Sequence, residues 1–203
     1  MIALVDYGLG NIQAFANIFR RLGIRAEPAR TPSELLQADK IILPGVGAFD
    51  WAMTRLNESG LRETLDELVI QKKIDVLGIC VGMQMMAQRS DEGTLSGLGW
   101  IEAEVLKFDT TLFKDRTHLP HMGWNDVTPT AEIGLFQGLD LPRYYFLHSY
   151  YMAPIKPADT IATTDYGIKF TSAVQSGNVY GTQFHPEKSH QWGISLLKNF
   201  AEL

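Results

Sequence analysis

Asp75-Val76-Leu77-Gly78-Ile79-Cys80-Val81-Gly82-Met83-Gln84 is the stretch on which the reading of the whole chain turns. A short apolar run leads into a cysteine with a glycine two residues to either side, and a Met- and Gln-rich run follows. Strand, sharp turn and helix in that order make a nucleophile elbow, Gly-x-Cys-x-Gly, with cysteine in the place of serine. The flanking glycines, having no Cβ, are expected to supply the tight turn that lifts Cys80 clear of a sheet. A thiol at the start of a helix faces unpaired backbone N–H groups and the positive end of the helix dipole, and both favour thiolate. The competing reading is a buried structural cysteine, because free cysteines are among the most buried residues.

Upstream of the elbow the pattern alternates. Ile2–Val5 is a continuous apolar run, expected as a strand covered on both faces. Tyr7-Gly8-Leu9-Gly10-Asn11 reads as a turn, and Phe15, Ile18, Phe19 and Leu22 then fall at helical spacing up to Gly23. Gly8-x-Gly10 lacks the third glycine of a dinucleotide fingerprint, so a tight strand-to-helix turn is preferred. Arg25–Ala29 reads as a second strand, and Thr31-Pro32-Ser33-Glu34 is a capping box. Lys40–Leu43 reads as a third strand, followed by Pro44-Gly45-Val46-Gly47-Ala48-Phe49, whose two glycines leave the intervening peptide free to rotate. Phe49–Leu56 and Leu61–Lys72 are predicted helices. This β-α-β-α-β-α-β run predicts a doubly wound α/β fold with a mostly parallel central sheet, which binds ligands at its strand ends.

Downstream, Ser90–Gly99 reads as a Gly-rich loop, and the long helices stop. Trp100–Phe108, Gly123–Val127, Tyr144–Ala153 and Thr160–Thr164 are strand-like, and Ala173–Gln175 with Val179–Phe184 forms a hairpin about Ser176-Gly177-Asn178. Antiparallel strands are therefore expected to join the central sheet or lie beside it. His190–Leu203 closes the chain as an amphipathic helix with Ile194, Leu197 and Phe200 on one face. No repeat or linker interrupts residues 1–203, which are expected to form one domain.

The 203 residues carry a net charge of -5, which gives no electrostatic case for nucleic acid. A single cysteine rules out an internal disulfide framework and fits a reducing compartment. No signal peptide and no membrane-spanning run are read, so a cytoplasmic protein is expected. No His/Cys/Asp cluster has metal-ligand spacing, and no metal or cofactor is expected.

A thiolate nucleophile needs a base and a proton donor. Of five histidines, His185 stands out in Gln183-Phe184-His185-Pro186-Glu187. A residue before proline is pushed to extended geometry, where positions i and i+2 point the same way. Glu187 could then orient the His185 ring, with the alternative that both merely end a strand.

Gly78–Gln84 taken with Gly181-Thr182-Gln183-Phe184-His185-Pro186-Glu187 closely resembles the class I glutamine amidotransferases, and Pro44–Phe49, Pro120–Asn125 and Tyr145–Tyr150 extend that resemblance over essentially the whole chain. Within that family these stretches are similar to the branch that supplies a (β/α)8-barrel synthase of histidine biosynthesis. Val81 and Leu147 depart from the usual pattern, and Gln13–Asn17 matches less well. The resemblance implies a Cys80-His185-Glu187 triad that hydrolyses glutamine to glutamate and ammonia. It implies an oxyanion hole from the backbone of Val81 and of Val46-Gly47, with the Val46 peptide turned away until the partner is loaded. It further implies that Gln84, Glu92, Ser149 and Tyr150 hold the amino-acid end of glutamine. Asn11, Trp124, Tyr145 and Lys188 would face the barrel subunit in a heterodimer. Three other readings compete: a paralogous glutaminase serving a different barrel partner, a free-standing Cys γ-glutamyl hydrolase, and a non-catalytic α/β module.

Overall fold

Apolar runs without alternation are tolerated where both faces of a sheet are covered, and the chain puts them at the centre. Ile2–Val5 (β1), Lys40–Gly45 (β3) and Asp75–Cys80 (β4) lie side by side in parallel, flanked by Ala26–Ala29 (β2). The computed structural model, which describes residues 1–113 and 118–203, continues the same sheet with strands from the second half. These are Thr128–Pro129 (β8), Thr160–Tyr166 (β11), Ile168–Ser176 (β12) and Val179–Thr182 (β13). The order is β2-β1-β3-β4-β13-β12-β11-β8. The first five strands are parallel, because β13 adds to β4 in parallel, and the remaining three are antiparallel.

Two smaller sheets stand beside it. Arg89–Ser90 (β5), Ala103–Lys107 (β6) and Tyr150–Pro154 (β10) form one, and His121–Asp126 (β7) pairs with Arg143–His148 (β9) in the other. The stretch Tyr144–Ala153 is thus two strands, broken at Ser149, where the chain leaves one sheet for another. The strand expected from Trp100 starts only at Ala103.

The helices are Ile12–Arg21 (α1), Pro32–Leu35 (α2), Phe49–Glu58 (α3), Arg62–Asp66 (α4), Val81–Met85 (α5) and His190–Glu202 (α6). Phe15 and Phe19 bury the inner face of α1. The capping box forms as read, Thr31 Oγ1 accepting from the Glu34 N–H, but it opens only a single turn. The helix expected over Leu61–Lys72 ends at Asp66 and runs on as a π turn, Glu67–Gln71. In α6 the buried face is Gly193, Leu196, Leu197 and Phe200, and Ile194 lies at its margin rather than on it. Among the described residues no helix is long and apolar enough to cross a membrane.

Candidate active site

Three neighbouring parallel strands end together, and each delivers one part of the site. Gly45, the last residue of β3, pairs with Cys80, the last of β4, and Thr182 at the end of β13 pairs with Ile79. The residues that follow are Val46-Gly47, the short helix α5, and Gln183–Glu187. Three segments far apart in sequence therefore meet at the carboxyl ends of the strands, where open α/β sheets bind ligands.

The elbow is tighter than its pattern suggests. Cys80 itself takes φ 55° and ψ −114°, a conformation that costs a non-glycine residue roughly 1–3 kcal/mol. Gly78 and Gly82 do not adopt positive φ, so they are not the source of the turn. Their role is space. A Cβ on Gly82 would sit 2.0 Å from the Leu43 carbonyl oxygen, and one on Gly78 would sit 2.8 Å from the Met83 backbone. Gly45 is held the same way, its absent Cβ only 2.4 Å from the Gly82 nitrogen, so rotation at the Val46 peptide has freedom only on the Gly47 side, where φ is +88°. Helix α5 has only five residues, and its dipole is correspondingly small. What it supplies is local: the first N–H groups of a helix have no intrahelical partner.

His185 and Glu187 project together as their spacing predicted. His185 Nδ1 lies 2.8 Å from Glu187 Oε1, and the two side chains are 3% and 4% exposed. Burial alone would lower the His185 pKa. Hydrogen bonds to Cys80 and Glu187, with the charges of both, outweigh it and push the value up to about 9. A ring whose charged form is favoured in this way can hold a thiolate at Cys80 and give up a proton. The backbone of His185 is clamped from two sides. Its N–H donates to the Tyr145 carbonyl at 2.9 Å, and its carbonyl accepts from Ser189 Oγ at 2.6 Å.

Cys80, His185, Val46, Gly47 and Val81 line one cavity of about 330 Å³. Gln84, Glu92, Ser149 and Tyr150 line it as well, so all four residues that the resemblance gives to the amino-acid end of glutamine share the cavity of Cys80. Two of them also bond within the protein through their side chains. Gln84 is buried, and its Nε2 donates to the Tyr150 carbonyl and to Gln183 Oε1. Glu92 Oε2 accepts from the Phe49 N–H and so caps α3, whose own N-cap residue Ala48 has no side-chain bond to give.

The candidate interface residues lie beside the mouth. Lys188 lines the cavity, and its Nζ stands 5.7 Å from the centre of the Tyr145 ring. Trp124 pairs with Tyr145 across β7 and β9 and stacks on His190 at 5.4 Å. Met122 and Leu147, the next pair on that face, are exposed. Asn11 Oδ1 accepts from the Ala14 N–H and caps α1, which packs against the Pro186–Lys188 turn.

Three residues of the site were missed in sequence. Gln183 is buried and directs its Nε2 at Cys80 Sγ, 3.7 Å away. Tyr7 is buried under the site, and its hydroxyl donates to the Pro44 carbonyl at 2.8 Å, pinning the end of β3. Ser189 ties Tyr145 to His185. A glutamine immediately after a strand, two residues before the histidine, is the only one of these with a local signal.

Residues 3–203 match the family Glutamine amidotransferase class-I. The chain is 57% identical over 204 residues to imidazole glycerol phosphate synthase subunit HisH of Bdellovibrio bacteriovorus, covering 100% of both chains. It is 52% identical to the subunit of the same name from Leptospira interrogans and 47% identical to subunit HisH 2 of Pseudomonas aeruginosa, again over 100% of both chains. In fold it is similar to a glutamine amidotransferase from Thermotoga maritima, with a TM-score of 0.63 at 19% identity over 99% of this chain and 82% of that one.

Proposed function

The chain belongs to the class-I glutamine amidotransferases, and we propose that it is the glutaminase subunit of an imidazole glycerol phosphate synthase, passing ammonia to a (β/α)8-barrel subunit. The observation that carries the catalytic half is the buried His185–Glu187 pair set beside Cys80 by adjacent strand ends. Cys80 Sγ adds to the carbonyl carbon of the glutamine side-chain amide. The C–N bond breaks as His185 gives its proton to the nitrogen, leaving a γ-glutamyl thioester and ammonia. Water then adds to the thioester, His185 takes up its proton, and glutamate departs from the thiolate. Glu187 holds the ring in the tautomer that puts Nε2 toward the sulfur and stabilises the imidazolium between steps.

The oxyanion formed in each addition needs backbone donors. The Val81 N–H at the start of α5 is one, and an N–H of Val46-Gly47 is the other. Loss of one such donor typically costs ~10²–10³ in rate. A Val46 peptide turned away at rest would hold hydrolysis back until the partner is loaded, which keeps ammonia from being wasted. Gln84, Glu92, Ser149 and Tyr150 are assigned to the α-amino and carboxylate groups of glutamine.

The exposed apolar face of β7 and β9 supports the second half of the proposal. Met122, Trp124 and Leu147 are exposed beside Tyr145, and Leu147 also lines the cavity. Ammonia leaving the site would pass under whatever covers this face. With Asn11 and Lys188 it forms the surface assigned to the barrel subunit. Full-length identity to subunits named for this synthase supports that assignment. Glutamine hydrolysis by this chain is to be measured alone and with the barrel subunit, with and without its acceptor. Turnover should rise when the liganded partner is present. Equal rates would remove the gating step, and a Cys80→Ala chain with wild-type turnover would remove the mechanism. A relative numbered 2 in Pseudomonas aeruginosa keeps one alternative in view, a paralogue serving a different barrel, and the choice of acceptor in this assay separates the two.

A further inference from the structure

We infer that Gln183 is a positioning residue for the nucleophile, a side-chain donor aimed at Cys80 Sγ by an unbroken chain of hydrogen bonds that reaches across two sheets. The inference rests on the glutaminase reading of Cys80 and deepens it.

Carboxamides and imidazoles can be turned end for end, so the direction of each must be forced by a neighbour of fixed character. Here every link is forced. The Tyr150 carbonyl can only accept, so Gln84 must present its Nε2 there, at 3.0 Å. The other hydrogen of that Nε2 needs an acceptor, and Gln183 Oε1 is 2.9 Å away. The Gln183 amide is thereby oriented with its NH2 toward Cys80 Sγ at 3.7 Å. A reversed Gln183 would set NH2 against NH2 at one end and leave its oxygen facing the sulfur at the other.

The Tyr150 carbonyl is itself anchored. His148 Nδ1 lies 2.8 Å from it and must carry the hydrogen, which leaves His148 Nε2 as an acceptor. His121 Nδ1 lies 3.0 Å from that nitrogen and must donate. His121 Nε2 then accepts from Asn125 Nδ2 at 3.2 Å, and Asn125 is fixed in turn by donating to the Asp165 carbonyl and accepting from the Asp126 N–H. Both rings are neutral in this arrangement, each with one donor and one acceptor used. The two histidines are thus the fixed end of a strut whose free end is the Gln183 amide. A donor pointed at sulfur stabilises thiolate over thiol and holds Sγ in one place for attack.

Cys80 is the sole cysteine, so its alkylation by iodoacetamide reports on this sulfur alone and needs neither glutamine nor a partner subunit. Alkylation rates are to be followed from pH 6 to pH 10 for the wild type, Gln183→Met and Gln183→Glu. The Met variant keeps the length and removes the donor. Its rate should fall about tenfold at pH 7, the usual weight of one hydrogen bond to a charged acceptor, and should recover to the wild-type rate at high pH where thiolate forms regardless. The Glu variant keeps the volume and turns a donor into an acceptor, so its deficit at neutral pH should be at least as large. It decides the matter if the Met variant does not fold. Gln84→Leu, which frees the Gln183 amide to reverse, should reproduce part of the effect. A variant rate that parallels the wild type at every pH, lowered or not, would mean that Gln183 only fills space, and the inference would fall. An inert wild-type Cys80 at neutral pH would instead count against the glutaminase reading itself.

Discussion

The buried histidine pair makes the protein sensitive to mild acid. His121 and His148 have pKa values pushed down from 6.5 to about 4 and about 3. Burial is the main cause in both, and for His148 the neighbouring His121 and His185 add to it, against the Tyr150 carbonyl, which favours the charged form. Unfolded, both rings take up protons below pH 6.5 that the folded chain refuses, so stability falls as pH drops from there toward the folded values. Each ring contributes a slope approaching about 1.4 kcal/mol per pH unit. Between pH 7 and pH 5 the pair removes about 4 kcal/mol. His185 acts in the opposite sense. Its folded value is raised, so its stabilisation is complete below 6.5 and is lost only as pH rises through about 9. Over the same interval it returns about 1 kcal/mol, leaving a net loss of about 3 kcal/mol. Urea unfolding followed by tryptophan fluorescence at pH 5, 6 and 7 measures this directly. His121→Phe combined with His148→Phe removes both titrating rings together, and His121 already stacks on Phe146 and Tyr166, so aromatic replacement suits the site. Stability of the double variant should be flat or slightly higher at pH 5. A wild-type loss under about 1 kcal/mol, or a slope that survives in the double variant, would refute the assignment of the pair as buried and neutral.

Glu187→Gln keeps the shape but removes one of the charges that raise His185, so turnover should fall by about 10²–10⁴ and the alkaline limb of its pH profile should move to lower pH. Gly82→Ala would place a Cβ 2.0 Å from the Leu43 carbonyl oxygen, and the melting temperature should report a loss of about 3 kcal/mol or more. Met122→Glu puts a charge on the exposed face of β7, and titration with the proposed barrel subunit should show affinity weakened by about tenfold or more.

The parallel half of the fold was legible because buried strands have a signature that survives in one sequence. Ile2–Val5 is apolar throughout, and Asp75–Cys80 is apolar from Val76 onward. The pairing of His185 with Glu187 was legible for a related reason: the two are separated by one proline, whose restriction on the preceding residue fixes their common direction. What could not be read is whatever depends on contacts across the chain. The break at Ser149 has no glycine or proline to announce it, only a lone serine and a change of partner from β7 to β6. The π turn after Asp66 follows an ordinary helical sequence. The resemblance gives Gln84 only as a substrate ligand, and nothing local says that it faces another carboxamide 99 positions away.

The elbow shows how a correct motif can be matched to the wrong physics. Glycine on both sides of a nucleophile suggests a backbone that needs freedom, yet the strained φ belongs to Cys80, and its neighbours are ordinary in conformation. The glycines let α5 press onto three strands at once, with Gly82 against Leu43 of β3, Gly78 of β4 against Met83, and Gly181 of β13 against the Met83 side chain. That compression is what makes the strain tolerable: a residue in a sparsely populated conformation persists only when its surroundings leave it no alternative. The same contacts bring the N-terminus of α5 beside the end of β3, where the proposed oxyanion donors would converge, and bring Gln84 of α5 within reach of Gln183. Position and strain at the sulfur are therefore set by packing from beneath, so a substitution that lifts α5 by half an ångström should damage the nucleophile, the oxyanion hole and the Gln183 contact together rather than any one of them alone.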